Sequence, residues 1–143
     1  MTSDLECAIQ TAMHAHRGQV DKGGAPYILH PLRVMLACKT ELQKTVAVLH
    51  DVVEDSAIPI AMIVENFGYE VGKAVDALTR RDGESYEEFI QRCRDNDIAR
   101  EVKLADLADN MDLSRLPNPM PSDLVRLQKY RAAVEVLNRE PKP

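Results

Sequence analysis

The stretch Leu49-His50-Asp51-Val52-Val53-Glu54-Asp55 sets four side chains able to bind metals or protons inside an apolar run. Val46, Ala47, Val48 and Leu49 precede it, and Val52 and Val53 lie within it. In a helix each residue turns by roughly 100°. His50 and Glu54 then stand one turn apart, as do Asp51 and Asp55. All four fall on one broad face and the valines on another. Taking an imidazole and three carboxylates out of water together is costly unless they are paired or hold a cation. A solvated acidic helix face would account for the acids alone. An adjoining His-Asp pair with Glu-Asp one turn later favours a metal.

Such a site needs further ligands. His30 stands at a loop-to-helix boundary before Pro31, where a lone histidine is more often structural. Asp106 lies in the segment Val102-Lys103-Leu104-Ala105-Asp106-Leu107-Ala108-Asp109-Asn110, one turn from Asn110. An acid in so apolar a helix is tolerable if it coordinates a cation. His16 follows the apolar stripe of the first helix and reads as a core or supporting residue. Two imidazoles and two carboxylates suit Mn²⁺, Fe²⁺, Co²⁺ or Zn²⁺ better than Ca²⁺ or Mg²⁺. An ion in such a site lowers the pKa of bound water. Glu54 and Asp55, just beyond His50-Asp51, are placed to hold or deprotonate that water.

The elements that must carry these residues read as helices. Ser3 to Glu6 forms a capping box, and Leu5, Ala8, Ile9, Ala12 and Met13 continue a helix to about Arg17. A Gly- and Pro-containing loop follows to Tyr27. Pro31 fits the first turn of the next helix. Thr40 to Gln43 opens the helix expected to carry His50, interrupted at Asp55, Ser56 and Pro59. Further helices are expected from Pro59 to Phe67, Tyr69 to Arg80, after the Ser85 cap, and Asp97 to Leu113. Ser122 is expected to cap a last one. No stretch alternates as a strand does. The expectation is one all-α domain over residues 1–143, with seven or eight helices and a frayed tail at 141–143.

Composition narrows the function. The chain has 143 residues, 45% hydrophobic and 29% charged, with a formal net charge of −5. That charge argues against a general nucleic-acid or anionic-membrane surface. No apolar run approaches the roughly 20 residues of a membrane span. The acidic start lacks the basic region of a signal peptide. Cys7, Cys38 and Cys93, far apart and odd in number, fit reduced thiols in the cytoplasm. A homo-oligomer is left open.

Four ordered motifs then carry a resemblance. They are Ala15-His16-Arg17-Gly18-Gln19, Pro26-Tyr27-x-x-His30-Pro31, His50-Asp51-Val52-Val53-Glu54-Asp55 and Val102-Lys103-Leu104-Ala105-Asp106-x-x-x-Asn110. They resemble the HD phosphohydrolase superfamily and, more closely, the hydrolase domain of the RelA/SpoT family. The resemblance spans nearly the whole chain and leaves no room in 143 residues for a synthetase domain, as in a stand-alone small alarmone hydrolase. It implies Mn²⁺ on His30, His50, Asp51 and Asp106, with Glu54 and Asp55 positioning the attacking water. It implies nucleotide contacts from Asn110, Arg126 and Tyr130. The implied reaction removes the 3′-pyrophosphate of (p)ppGpp, giving GDP or GTP and pyrophosphate. The implied stringent-response substrate is not the sole choice. Another nucleotide, such as (p)ppApp or NADPH, and a non-enzymatic nucleotide sensor are the alternatives. Retention of all six metal and acid residues favours an enzyme.

Two departures bear on the base. Lys22 stands near where the family usually has an arginine, in Asp21-Lys22-Gly23-Gly24-Ala25-Pro26-Tyr27, and Leu107-Ala108-Asp109-Asn110 replaces the usual Arg-x-His-Asn. Arg80, Arg81 and Lys103 are further candidates for phosphate contacts. A lysine offers charge but no planar stacking face. Discrimination between guanine and adenine alarmones should therefore be weak, with roughly 10- to 200-fold of selectivity at stake. Lys22→Arg should raise kcat/KM for ppGpp over ppApp without changing metal content. A wild-type ratio already far above a hundredfold would refute this reading of Lys22.

Overall fold

A computed structural model describes residues 3–139. The tail expected at 141–143 lies outside the described residues. The described residues form eight helices of eight residues or more and one single-turn helix. They are α1 (Asp4–Ala15), α2 (Leu29–Ala37), α3 (Glu41–Leu49), α4 (Val52–Asp55), α5 (Ile60–Phe67), α6 (Tyr69–Ala77), α7 (Tyr86–Arg94), α8 (Asp97–Asn110) and α9 (Pro121–Asn138), with a 3₁₀ turn at Leu113–Arg115. No strand occurs among the described residues; Val20 and Pro26 form an isolated antiparallel bridge in the loop before α2. The all-α reading holds, and no described helix is long and apolar enough to cross a membrane.

Local signals set most of the helix starts. The Ser3 and Thr40 hydroxyls accept from the Glu6 and Gln43 N–H groups, and both acidic or amide partners reach back to complete capping boxes. Ser85 accepts from the Glu88 N–H at 3.1 Å. At α9 the expected Ser122 cap is not used. Pro121 occupies the first helical position, where its missing N–H leaves nothing unsatisfied. The Asp123 carboxylate instead accepts from the Met120 N–H at 2.7 Å.

The main correction lies in the helix opened by Thr40. It stops at Leu49, before His50, and restarts as α4 at Val52. The His50 Nδ1 takes the Ala47 carbonyl at 2.6 Å, and the His50 N–H also reaches that carbonyl at 3.3 Å. The turn tightens, and Asp51 adopts ψ 0°. The Asp55 N–H still reaches the Asp51 carbonyl at 3.0 Å, so these two residues keep their one-turn relation. The helices expected to reach Arg80 and Leu113 end at Ala77 and Asn110.

Val46, Ala47, Val48 and Leu49 are wholly buried. A helix apolar on all sides belongs at the centre of a packed domain. Here the C-terminal turn of α3, Val46 to Leu49, has that character, and α1, α2, α6 and α8 surround the helix. Its C-terminal end therefore delivers His50 and Asp51 into the middle of the molecule. On one flank α5 packs on α6, and on the other α7, α8 and α9 pack together.

Gly72 marks a close approach of α6 to α5. A Cβ there would lie 2.3 Å from Val64 Cγ2 and 3.3 Å from Val64 Cα. An alanine gains about 0.5–1 kcal/mol in helix propensity, while overpacking costs about 1–3 kcal/mol. Gly72→Ala should therefore lower stability in urea unfolding. A variant equal to or more stable than wild type would show that α5 yields freely at this contact.

Candidate metal centre and substrate cleft

Three elements bring the sequence-selected ligands to one point. His30 comes from the first turn of α2, His50 and Asp51 from the break between α3 and α4, and Asp106 from the middle of α8. His30, His50 and Asp106 are buried, and each offers an atom within 4.8 Å of the others. His30 Nε2 lies 2.9 Å from Asp106 Oδ1, and His50 Nε2 lies 3.3 Å from the same oxygen. Asp51 Oδ2 adjoins them, 3.0 Å from His50 Nε2 and 3.9 Å from His30 Nε2. A His/Asp group of this kind could hold a metal ion.

The proton positions sharpen this. The Ala47 carbonyl can only accept, so His50 Nδ1 carries a proton. Its Nε2 is buried, faces two carboxylate oxygens, and makes no hydrogen bond with a described residue. A neutral imidazole would direct its lone pair at negative oxygens. The arrangement calls for a cation, a proton or a metal, between them. The pKa directions agree. Burial lowers the His50 value, but the charges of Asp51 and Asp106 outweigh it and raise the imidazole well above its ordinary range. Burial likewise opposes the His30 proton, and Asp106 overrides it. Burial raises Asp106, yet Lys103, His50 and His30 hold it well below the ordinary carboxylate range.

The acid pair lies on α4. Glu54 Oε1 accepts from the Arg80 N–H at 2.6 Å. Burial pushes the Glu54 carboxyl up, and the charges of Asp51 and Asp55 add to it against the Arg80 hydrogen bond. Asp55 is raised by burial and by Asp51. Burial and neighbouring carboxylates thus raise both members of the pair.

A cleft of about 320 Å³ opens beside His30. It gathers all four residues expected to touch substrate: Lys22 from the loop before α2, Asn110 from α8, and Arg126 and Tyr130 from α9. Asn110 also donates to Asp106 Oδ1 at 3.2 Å, which ties the cleft wall to the His/Asp cluster. Arg126 is paired with Asp123 across one helical turn.

Several site residues escaped the sequence reading. The Tyr27 hydroxyl donates to Asp51 Oδ2. Asp109 accepts from His30 and Arg33, and Arg33 and Arg115 line the cleft. Lys103, read as a phosphate contact, turns inward instead: its Nζ lies 2.8 Å from Asp106 Oδ2 and 4.9 Å from the Phe89 ring centre. Arg80 donates to the Glu84 carbonyl, and Arg81 pairs with Asp76 at the surface. The i, i+3 spacings of Lys103, Asp106 and Asp109 were visible in the sequence. Their partners on α2 and the loops were not.

No family model matches the sequence. The chain is 30% identical, over 94% of its length, to a probable GTP pyrophosphokinase of Mycobacterium leprae. It is 32% identical, over 76% of its length, to a guanosine-3′,5′-bis(diphosphate) 3′-pyrophosphohydrolase of Aquifex aeolicus. It spans 18% and 17% of those two proteins, less than a fifth of each. Its fold matches a solved structure described as a metazoan ortholog of SpoT that hydrolyses ppGpp, with a TM-score of 0.78 and 24% identity. That match covers 96% of this chain and 87% of the other.

Asp106 separates two roles that the geometry combines. Asp106→Asn removes the charge opposite buried Lys103, which should cost about 3–5 kcal/mol, the scale for breaking a buried pair. Its folded fraction should also lose divalent-metal binding in calorimetric titration. Loss of stability with unchanged metal affinity would confine Asp106 to countering Lys103.

Proposed function

We propose that this chain, a RelA/SpoT-type HD domain by sequence and by fold, is a metal-dependent hydrolase that removes the 3′-pyrophosphate of (p)ppGpp. The products are GDP or GTP and pyrophosphate. The carrying observation is His50 Nε2, buried against Asp51 and Asp106 oxygens without a hydrogen bond and beside a cleft with basic side chains. His30, His50, Asp51 and Asp106 are the proposed ligands, and Mn²⁺ is the proposed ion, the mixed nitrogen and oxygen set being suited to it. Bound there, the ion supplies Lewis acidity and lowers the pKa of its water.

The chain's own groups have separable tasks. The Ala47 carbonyl fixes the His50 proton on Nδ1 and leaves Nε2 to face the cluster. Tyr27 holds Asp51 by a hydrogen bond to Oδ2. Glu54 has Oε1 engaged by the Arg80 N–H, which leaves Oε2 to take a proton from water. Asp55, also raised in pKa, is the second member of the pair that positions that water. Lys22, Asn110, Arg126 and Tyr130 are proposed to hold the nucleotide in the cleft. The cytoplasm is the proposed site of action, in keeping with three unpaired cysteines.

The acid pair generates the test. A general base must be ionised, and burial raises Glu54 above its ordinary 4.5. Activity should therefore fall as pH drops through a value higher than that of a free glutamate, and recover as pH rises. Glu54→Gln should keep the metal while lowering kcat by about two to four orders of magnitude, and should lose that acidic limb. The measurement is the pH profile of pyrophosphate release from ppGpp with Mn²⁺. An unchanged rate would remove Glu54 from the mechanism, and no release by the wild-type chain would overturn the proposed reaction.

A further inference from the structure

Asp109 lies three residues beyond Asp106 on α8, so the two carboxylates share one face. Asp109 Oδ2 lies 2.7 Å from His30 Nδ1. Its Oδ1 accepts from Arg33 Nε at 2.7 Å, and Oδ2 accepts from the Arg33 Nη2 at 3.0 Å. The Arg115 Nη2 reaches Asp109 Oδ2 at 3.3 Å and the Asp109 carbonyl at 2.9 Å. The carboxylate is 11% exposed. The two guanidiniums are about one-third exposed, at 32% and 36%, and both line the cleft.

A carboxylate with two guanidiniums on it stays ionised. An ionised carboxylate only accepts. His30 Nδ1 must then carry the proton and donate it, and His30 Nε2 is left to face Asp106 and Asp51. A surface salt bridge between Asp109 and Arg33 would need none of this. It would not require a buried imidazole on the same oxygen.

We infer that Asp109 is a positioning residue: it fixes the tautomer and direction of His30 toward the metal while anchoring Arg33 and Arg115 in the cleft wall. The inference rests on the proposed metal-ligand role of His30. One carboxylate thereby joins the metal centre to two of the cations that face the substrate. An asparagine cannot do both tasks. It has one acceptor oxygen, and its NH₂ would face either the His30 Nδ1–H or the Arg33 Nε–H, a donor against a donor.

The test uses the full chain, stripped of metal with a chelator and titrated with Mn²⁺ alone by calorimetry. Asp109→Asn should weaken Mn²⁺ binding by about 10- to 100-fold, the usual effect of losing the partner of a metal-bound histidine. A merely structural Asp109 would lower the melting temperature and leave the affinity of the folded protein within twofold of wild type, and that result would overturn the inference. A measurement on the wild-type chain stands beside it in case the variant does not fold. Long-range ¹H–¹⁵N spectra of the Zn²⁺-loaded protein should show the His30 proton on Nδ1. A proton on Nε2 would equally overturn it. Absence of any metal binding by the wild-type chain would instead strike at the proposed function, and at this inference only through it.

Discussion

The buried carboxylate of Asp106 is the constraint on which the rest of this structure depends. It is 4% exposed. A carboxylate taken that far from water costs several kcal/mol unless it is surrounded by donors and positive charge. Four groups meet it: His30 Nε2 at 2.9 Å, Lys103 Nζ at 2.8 Å, Asn110 Nδ2 at 3.2 Å and His50 Nε2 at 3.3 Å. They come from α2, from the end of α3 and from α8 itself. None of these elements can shift far without exposing or orphaning the charge. The polar cluster thus specifies how three apolar helices are placed, which apolar packing alone leaves less determined.

The break between α3 and α4 follows from the same demand. In an unbroken helix the Ala47 carbonyl would accept from the Asp51 N–H, four residues on. Here it accepts instead from the His50 ring and backbone. That swap costs one regular helical bond and gains a fixed imidazole. It also turns Asp51 toward Tyr27 and the histidines, and it starts a separate short helix for Glu54 and Asp55. His50 and Asp51 therefore sit at the break, and the proposed acid pair on the short helix after it, rather than all four on one helix face as their spacing suggested.

What could be read in advance divides along a physical line. Helix starts at Ser3, Thr40 and Ser85 were legible because a cap and its partner lie within three residues. At α9 two local signals competed, Ser122 as cap and Pro121 as first residue, and the proline prevailed since its missing N–H suits only that position. His30, His50, Asp51 and Asp106 were legible as residue types out of place in apolar surroundings. Their supporting contacts were not. Asp106 and Asp109 meet His30 across 76 and 79 residues, and Tyr27 meets Asp51 across 24. Such pairings depend on how α2 and the loop before it pack, which no local pattern encodes. Lys103 shows the same limit: its charge suggested a phosphate contact, yet α8 faces it inward, onto Asp106 and over Phe89.

For the proposed nucleotide the cleft poses an electrostatic problem that the proposed metal centre would resolve. The chain carries a formal net charge of −5, and a nucleotide with several phosphates is itself a polyanion. The cations of the cleft wall are Lys22, Arg33, Arg115 and Arg126, and its carboxylates are Asp21, Asp109, Asp112 and Asp123. Four positive and four negative side chains give little long-range attraction. Pairing does something else: Asp109 and Asp112 hold Arg33 and Arg115, and Asp123 holds Arg126. Guanidiniums fixed in this way lose less freedom when they meet a phosphate, and their planar donors are already oriented. Recognition of the proposed substrate in this cleft would then rest on short-range geometry. The remaining attraction for negative charge has to arise at the cluster itself, where a divalent ion among His30, His50, Asp51 and Asp106 would be the strongest local positive charge. On the proposed reading, binding and catalysis would draw on the same few ångströms of structure, and Asp109, in contact with His30, Arg33 and Arg115, is the carboxylate that borders both.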